Sequence, residues 1–174
     1  MDAASVEESV VGEHRVKGRV VVIALGSADL GDDAVGPLIG AQLQRSISRA
    51  QVYFPRDALS MLDAFEGASI AYVVDACTSG APAGMVFCLD SANENKIEVL
   101  PKAVDALSSH GLGLQDALDL ARNMGRLPER VIVYAIEGER FAPGSALSPQ
   151  VKKSVDIVVG RIVESLQSLE HKHA

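Results

Sequence analysis

Three unbroken apolar stretches limit what this chain can fold into. They are Val20-Val21-Val22-Ile23-Ala24-Leu25, the run Ile70-Ala71-Tyr72-Val73-Val74-Asp75-Ala76-Cys77, and Val131-Ile132-Val133-Tyr134-Ala135-Ile136. None approaches the roughly 20 residues that cross a bilayer. None alternates with polar residues, so each reads as a strand covered on both faces, the pattern of a parallel sheet between helices. Helical periodicity fills the spaces between them. Val35, Leu38, Ile39, Leu43 and Ile47 share one face over about 33–47, and 58–65 is a short helix with Leu59, Leu62 and Phe65 on one side. Leu114, Leu118 and Ala121 mark a helix ending near Gly125. The last helix opens at Ser148-Pro149, a cap followed by proline at the first helical position, with Val151, Val155, Val158, Ile162, Leu166 and Leu169 inward. Shorter strands are expected at 51–54, 84–89 and 97–100. The expected fold is α/β, a three-layer αβα sandwich with a mostly parallel twisted sheet of about five strands. Residues 1–18 read as a flexible tail, 19–169 as a single domain and 170–174, with His171 and His173, as a second tail.

Composition narrows the function. The chain has 174 residues, 48% hydrophobic and 22% charged, the balance of one globular domain. A net charge of −7, no Trp and 4% aromatics argue against nucleic acid and against an anionic membrane surface. Two cysteines, Cys77 and Cys88, make no disulfide framework, and the N-terminus lacks a signal peptide's basic-then-apolar order, so a cytoplasmic location is expected. Both thiols read as buried structural cysteines, although Cys77 stands close enough to Asp75 to be weighed as a nucleophile.

The most informative loop follows the first strand: Gly26-Ser27-Ala28-Asp29-Leu30-Gly31-Asp32-Asp33. Gly26 and Gly31 keep the spacing of a phosphate-binding loop. Such a loop continues with Lys and Ser or Thr, whereas this one continues with two carboxylates that would repel a phosphate. It therefore reads as a metal or proton-transfer site. In an open α/β sheet, ligands bind beyond the carboxyl ends of the strands. That edge would gather Asp32 or Asp33, Asp75 near the end of its apolar run, and His110 at a helix entrance. Two carboxylates and an imidazole suit a divalent metal with an open position or metal-free acid–base work. Each residue also has a plain structural reading: Asp32 and Asp33 as helix caps, Asp75 as a turn cap through Thr78 or Ser79, His110 as a surface residue. Glu137 and Glu139 read as an exposed charge pair. No HExxH, GxSxG or CxxC pattern supports a zincin, a serine hydrolase or a thioredoxin-type enzyme.

Four motifs, in order, resemble one family. They are Ala24-Leu25-Gly26-Ser27 followed by Asp32-Asp33-Ala34-Val35-Gly36; Val73-Val74-Asp75-Ala76 with Ala81-Pro82-Ala83-Gly84; Ser108-Ser109-His110-Gly111-Leu112-Gly113-Leu114; and Ala146-Leu147-Ser148-Pro149. Over about 19–166 the chain resembles the [NiFe]-hydrogenase maturation endopeptidases, which trim a C-terminal extension from the hydrogenase large subunit once nickel is inserted. The resemblance implies a metal-binding and catalytic set of Asp33, Asp75 and His110. It implies nickel presented by the substrate rather than permanently bound, and a large-subunit precursor as partner of a monomeric enzyme. Two places depart from the family. Ala24 and Ser27 replace a Gly and an Asn, and the family's Asp-Gly-Gly-Thr stretch is not recognisable in Phe54-Pro55-Arg56-Asp57-Ala58. Two other readings stand beside it: a different metal-dependent peptidase on the same fold, and a non-catalytic assembly factor for a metalloenzyme.

Overall fold

The computed structural model describes residues 18–92 and 114–171. The three apolar runs become β1 (Arg19–Ala24), β3 (Ala68–Cys77) and β5 (Arg130–Glu137). Two short strands, β2 (Ala50–Tyr53) and β4 (Val86–Asp90), complete a five-stranded sheet in the order β2-β1-β3-β5-β4. β2, β1, β3 and β5 pair in parallel, and β4 runs antiparallel along β5. The helices are α1 (Val35–Ser46), α2 (Ala58–Phe65), α3 (Leu114–Asn123) and α4 (Pro149–His171). The sheet thus has the expected layers and strand number.

Side-chain alternation along the central strands builds two cores. Val21, Ile23, Ala71, Val73, Val131 and Val133 point toward α2 and α3. Val20, Val22, Ile70, Tyr72, Ile132 and Tyr134 point toward α1 and α4. Both faces being covered is why these strands show no polar alternation. Full burial of a side chain such as Ile39 or Leu43 on α1 contributes about 2 kcal/mol, so the sheet is held mainly by its helices.

The chain order places a crevice. From β1 the chain passes through α1 to β2 on one side, then through α2 back across to β3 on the other side of β1. The direction of winding therefore reverses between β1 and β3, and the loops leaving their carboxyl ends diverge there.

Several local expectations are corrected. On α2 the buried face is Ala58, Met61, Leu62, Ala64 and Phe65, and Leu59 is 69% exposed. Asp57 caps this helix by accepting the Ser60 N–H at 2.8 Å, which fixes the phase that turns Leu59 outward. Only Cys77 is a buried thiol; Cys88 is exposed because β4 is an edge strand. α4 continues to His171, two residues into the stretch read as a tail. The strand expected at 97–100, the helix entrance with His110 and the tail at 1–17 lie outside the described residues.

Candidate metal and peptidase site

The loop after β1 enters the crevice through Gly26. Its φ of +114° is left-handed backbone that glycine adopts freely, and an added Cβ would overlap the Asp33 carbonyl oxygen. Leu25 N–H donates to the Val74 carbonyl at 2.9 Å, tying the loop's start to β3 one residue before Asp75. At its far end a 3-10 turn, Gly31–Ala34, leads into α1. Asp32 and Asp33 occupy this turn, and neither side chain caps a helix. Gly26→Ala is expected to destabilise the chain by about 3 kcal/mol through backbone strain and overlap. Thermal unfolding of the variant checks this, and an unchanged midpoint would mean that the loop relaxes freely.

The adjacent carboxylates do different work. Asp32 is fully buried and accepts three backbone N–H groups: Ser148 at 2.6 Å, Glu139 at 2.9 Å and Arg140 at 3.0 Å. Burial pushes its pKa up, but those donors together outweigh it and hold the group below the usual carboxylate range. Asp33 is only partly buried, and one oxygen accepts the Ser27 N–H at 2.7 Å. The exchange of the family's Asn for Ser27 therefore leaves this contact intact, because the backbone supplies it.

Asp75 is the third carboxylate, near the end of β3 and partly buried. One oxygen accepts the Ala76 N–H at 2.9 Å, so it caps neither Thr78 nor Ser79. Burial first, and then the nearby charge of Asp33, together raise its pKa to about 7. Among the described residues, the second oxygen of Asp33 and of Asp75 accepts no protein hydrogen bond. A pair of half-committed carboxylates in mutual repulsion fits a divalent cation, which would neutralise both. Among the described residues no further His, Cys, Asp or Glu joins them in a group of three.

Glu137 is not part of an exposed charge pair. It is 2% exposed, whereas Glu139 is exposed. Its carboxylate accepts Ser79 N–H at 2.8 Å, Ser79 Oγ at 2.7 Å, Gly80 N–H at 2.9 Å and the Cys77 thiol at 3.3 Å. Burial and the Glu137 carboxylate raise the Cys77 pKa, which disfavours the thiolate that a nucleophile needs. The turn after Asp75 is thus organised by Glu137 from the neighbouring strand. Sequence reading missed this role; the one signal was a carboxylate directly ending an apolar run.

Known proteins resemble this chain in sequence and in fold. A family model described as Hydrogenase maturation protease matches residues 57–165. The Hydrogenase 2 maturation protease of Escherichia coli (strain K12) is 24% identical over 161 residues, covering 86% of this chain and 91% of that protein. Among solved structures, the hydrogenase maturating endopeptidase HybD from E. coli superposes with a TM-score of 0.71 at 20% identity, over 86% of this chain and 93% of that one. The [NiFe] hydrogenase maturation protease HybD from Thermococcus kodakarensis gives 0.65 at 23% identity, over 85% of this chain and 98% of that one. At these identities the structures speak to the fold.

Proposed function

Because the chain belongs to the hydrogenase maturation protease family, and is on that ground a peptidase, we propose that it removes the C-terminal extension of a nickel-loaded [NiFe]-hydrogenase large-subunit precursor. Asp33, Asp75 and His110 are the residues assigned to contact the nickel that the precursor carries. The observation that supports this most is the pairing of Asp33 and Asp75 at the crevice between β1 and β3, each with one oxygen that accepts no hydrogen bond among the described residues. Such a pair is unfavourable when empty of cations and becomes favourable when a substrate brings one. Recognition of the loaded precursor then follows from charge: a precursor without nickel leaves the repulsion in place.

The nickel would supply Lewis acidity toward the scissile carbonyl or a water. The chain's own contribution is positional. Ser27 N–H and Ala76 N–H orient the two carboxylates, and the loops from β1 and β3 form the walls against which the precursor's C-terminal segment lies.

Intact-mass analysis of the precursor, with and without nickel, tests the reading. The expected result is loss of a C-terminal peptide only from the nickel-loaded form, and no loss with Asp33→Ala or His110→Ala. Cleavage retained in both variants would overturn the site assignment. Tight binding with no mass change would turn the reading toward an assembly factor.

A further inference from the structure

Asp32 is not needed to bind a cation, yet the fold invests heavily in it. All three of its side-chain hydrogen bonds, and a fourth from its own N–H to the Arg140 carbonyl at 2.6 Å, go to the loop between β5 and α4. The fit is close on both sides. A Cβ on Gly31 would overlap the Arg140 carbonyl oxygen, and a Cβ on Gly138 would stand 3.0 Å from the Asp32 Cβ. Asp32 therefore fixes the 3-10 turn against one rigid loop. Asp33 is the next residue of that turn, and its carboxylate is otherwise held only by the Ser27 N–H among the described residues. In a one-turn helix, rotation of one residue carries its neighbour with it.

We propose that Asp32 is a positioning residue that sets the orientation of the Asp33 carboxylate toward Asp75. The proposal rests on the reading of Asp33 as a nickel-contacting residue of the peptidase. Asp32 itself touches neither metal nor precursor. Its buried carboxylate aims the neighbouring one by anchoring the turn to the segment 139–148.

The test uses Asp32→Asn, with Tyr72→Phe as a comparison that removes a partly buried hydrogen bond to Ser165, on α4 well beyond the anchoring loop. Asn keeps the volume but turns an amide NH2 toward backbone N–H groups, so the turn shifts without a cavity. Two readouts are made on the full chain. The first is the Ser27 amide resonance and its hydrogen exchange, which report the Asp33 contact without any activity. It is expected to shift and lose protection in Asp32→Asn and to stay unchanged in Tyr72→Phe. The second is steady-state cleavage of the nickel-loaded precursor. Turnover is expected to fall about 10²-fold with KM little changed, the signature of a misplaced group. An unmoved Ser27 amide in a folded Asp32→Asn variant overturns the proposal, whatever happens to turnover. If the unaltered chain cleaves no precursor, the peptidase reading fails on its own, and the Ser27 amide still decides whether Asp32 orients Asp33. Should Asp32→Asn fail to fold, Gly31→Ala, whose added Cβ would overlap the Arg140 carbonyl oxygen and push the turn off the loop, replaces it with the same expected and overturning results.

Discussion

Asp75→Asn is expected to abolish nickel-dependent processing and, at the same time, to make the metal-free protein more stable at pH 8. Asn keeps the volume and the oxygen that accepts the Ala76 N–H, so β3 and its pairing with β5 are undisturbed. It removes the charge. In the folded chain that charge is disfavoured first by burial and then by Asp33, which lifts the pKa from 3.8 to about 7. The sign follows from linkage. A carboxyl whose folded pKa is raised supports the fold fully below pH 3.8, and that support is lost as pH rises through about 7. Above pH 7 the ionised Asp75 destabilises the fold by up to roughly 4 kcal/mol relative to a neutral group. Urea unfolding in the presence of a chelator should therefore show Asp75→Asn gaining most at pH 8 and progressively less toward pH 4. A variant no more stable than the parent at pH 8 would mean that water reaches Asp75 freely. Processing that survives would mean that its charge is not used by the enzyme.

The second large effect is expected at Glu137. Replacing it by Ala strands the Ser79 and Gly80 N–H groups and the Ser79 hydroxyl beside a buried site, a loss of about 4 kcal/mol. Glu137→Gln, which retains one acceptor oxygen, should lose less. Burial works to raise the Glu137 pKa, but the Ser79, Cys77 and Gly80 donors outweigh it and hold the group below its ordinary 4.5. With a depressed folded pKa, this carboxylate supports the fold above pH 4.5, and the support disappears as pH falls through the folded value. The parent should accordingly lose stability on acidification more steeply than Glu137→Ala. Parallel pH profiles, measured as urea midpoints between pH 3 and 6, would sink this account.

Most of the fold was legible because its signals are local. Apolar runs without alternation announce strands covered on both faces, and a period of 3.6 announces the helices, which is why α2 fell on 58–65. What failed was decided at a distance. Residue type and spacing alone do not separate Asp32 from Asp33, and it is the N–H groups of Glu139, Arg140 and Ser148 that set the anchoring carboxylate apart from its partly buried neighbour. Glu137 looked like the first residue of a polar loop, since its donors lie on the turn after β3. Leu59 shared a face with Leu62 and Phe65 on paper, yet the cap at Asp57 and the packing of Met61 turn it to solvent. Cys88 is apolar company in sequence and an edge position in space. Asp75 stood out in the sequence for a physical reason: an ionisable group inside an apolar run has few structural uses.

The anchoring of the first loop by the last one also orders events during synthesis. The bonds from Asp32 span 107 to 116 positions of the chain, far more than the contacts that close a strand–helix–strand unit. A nascent chain emerges N-terminal end first, so β1, α1 and β2 can pair long before residues 139–148 leave the ribosome. Until those residues arrive, the turn that carries Asp33 has no dock. The end of the sheet that carries Asp33 and Asp75 is therefore completed last.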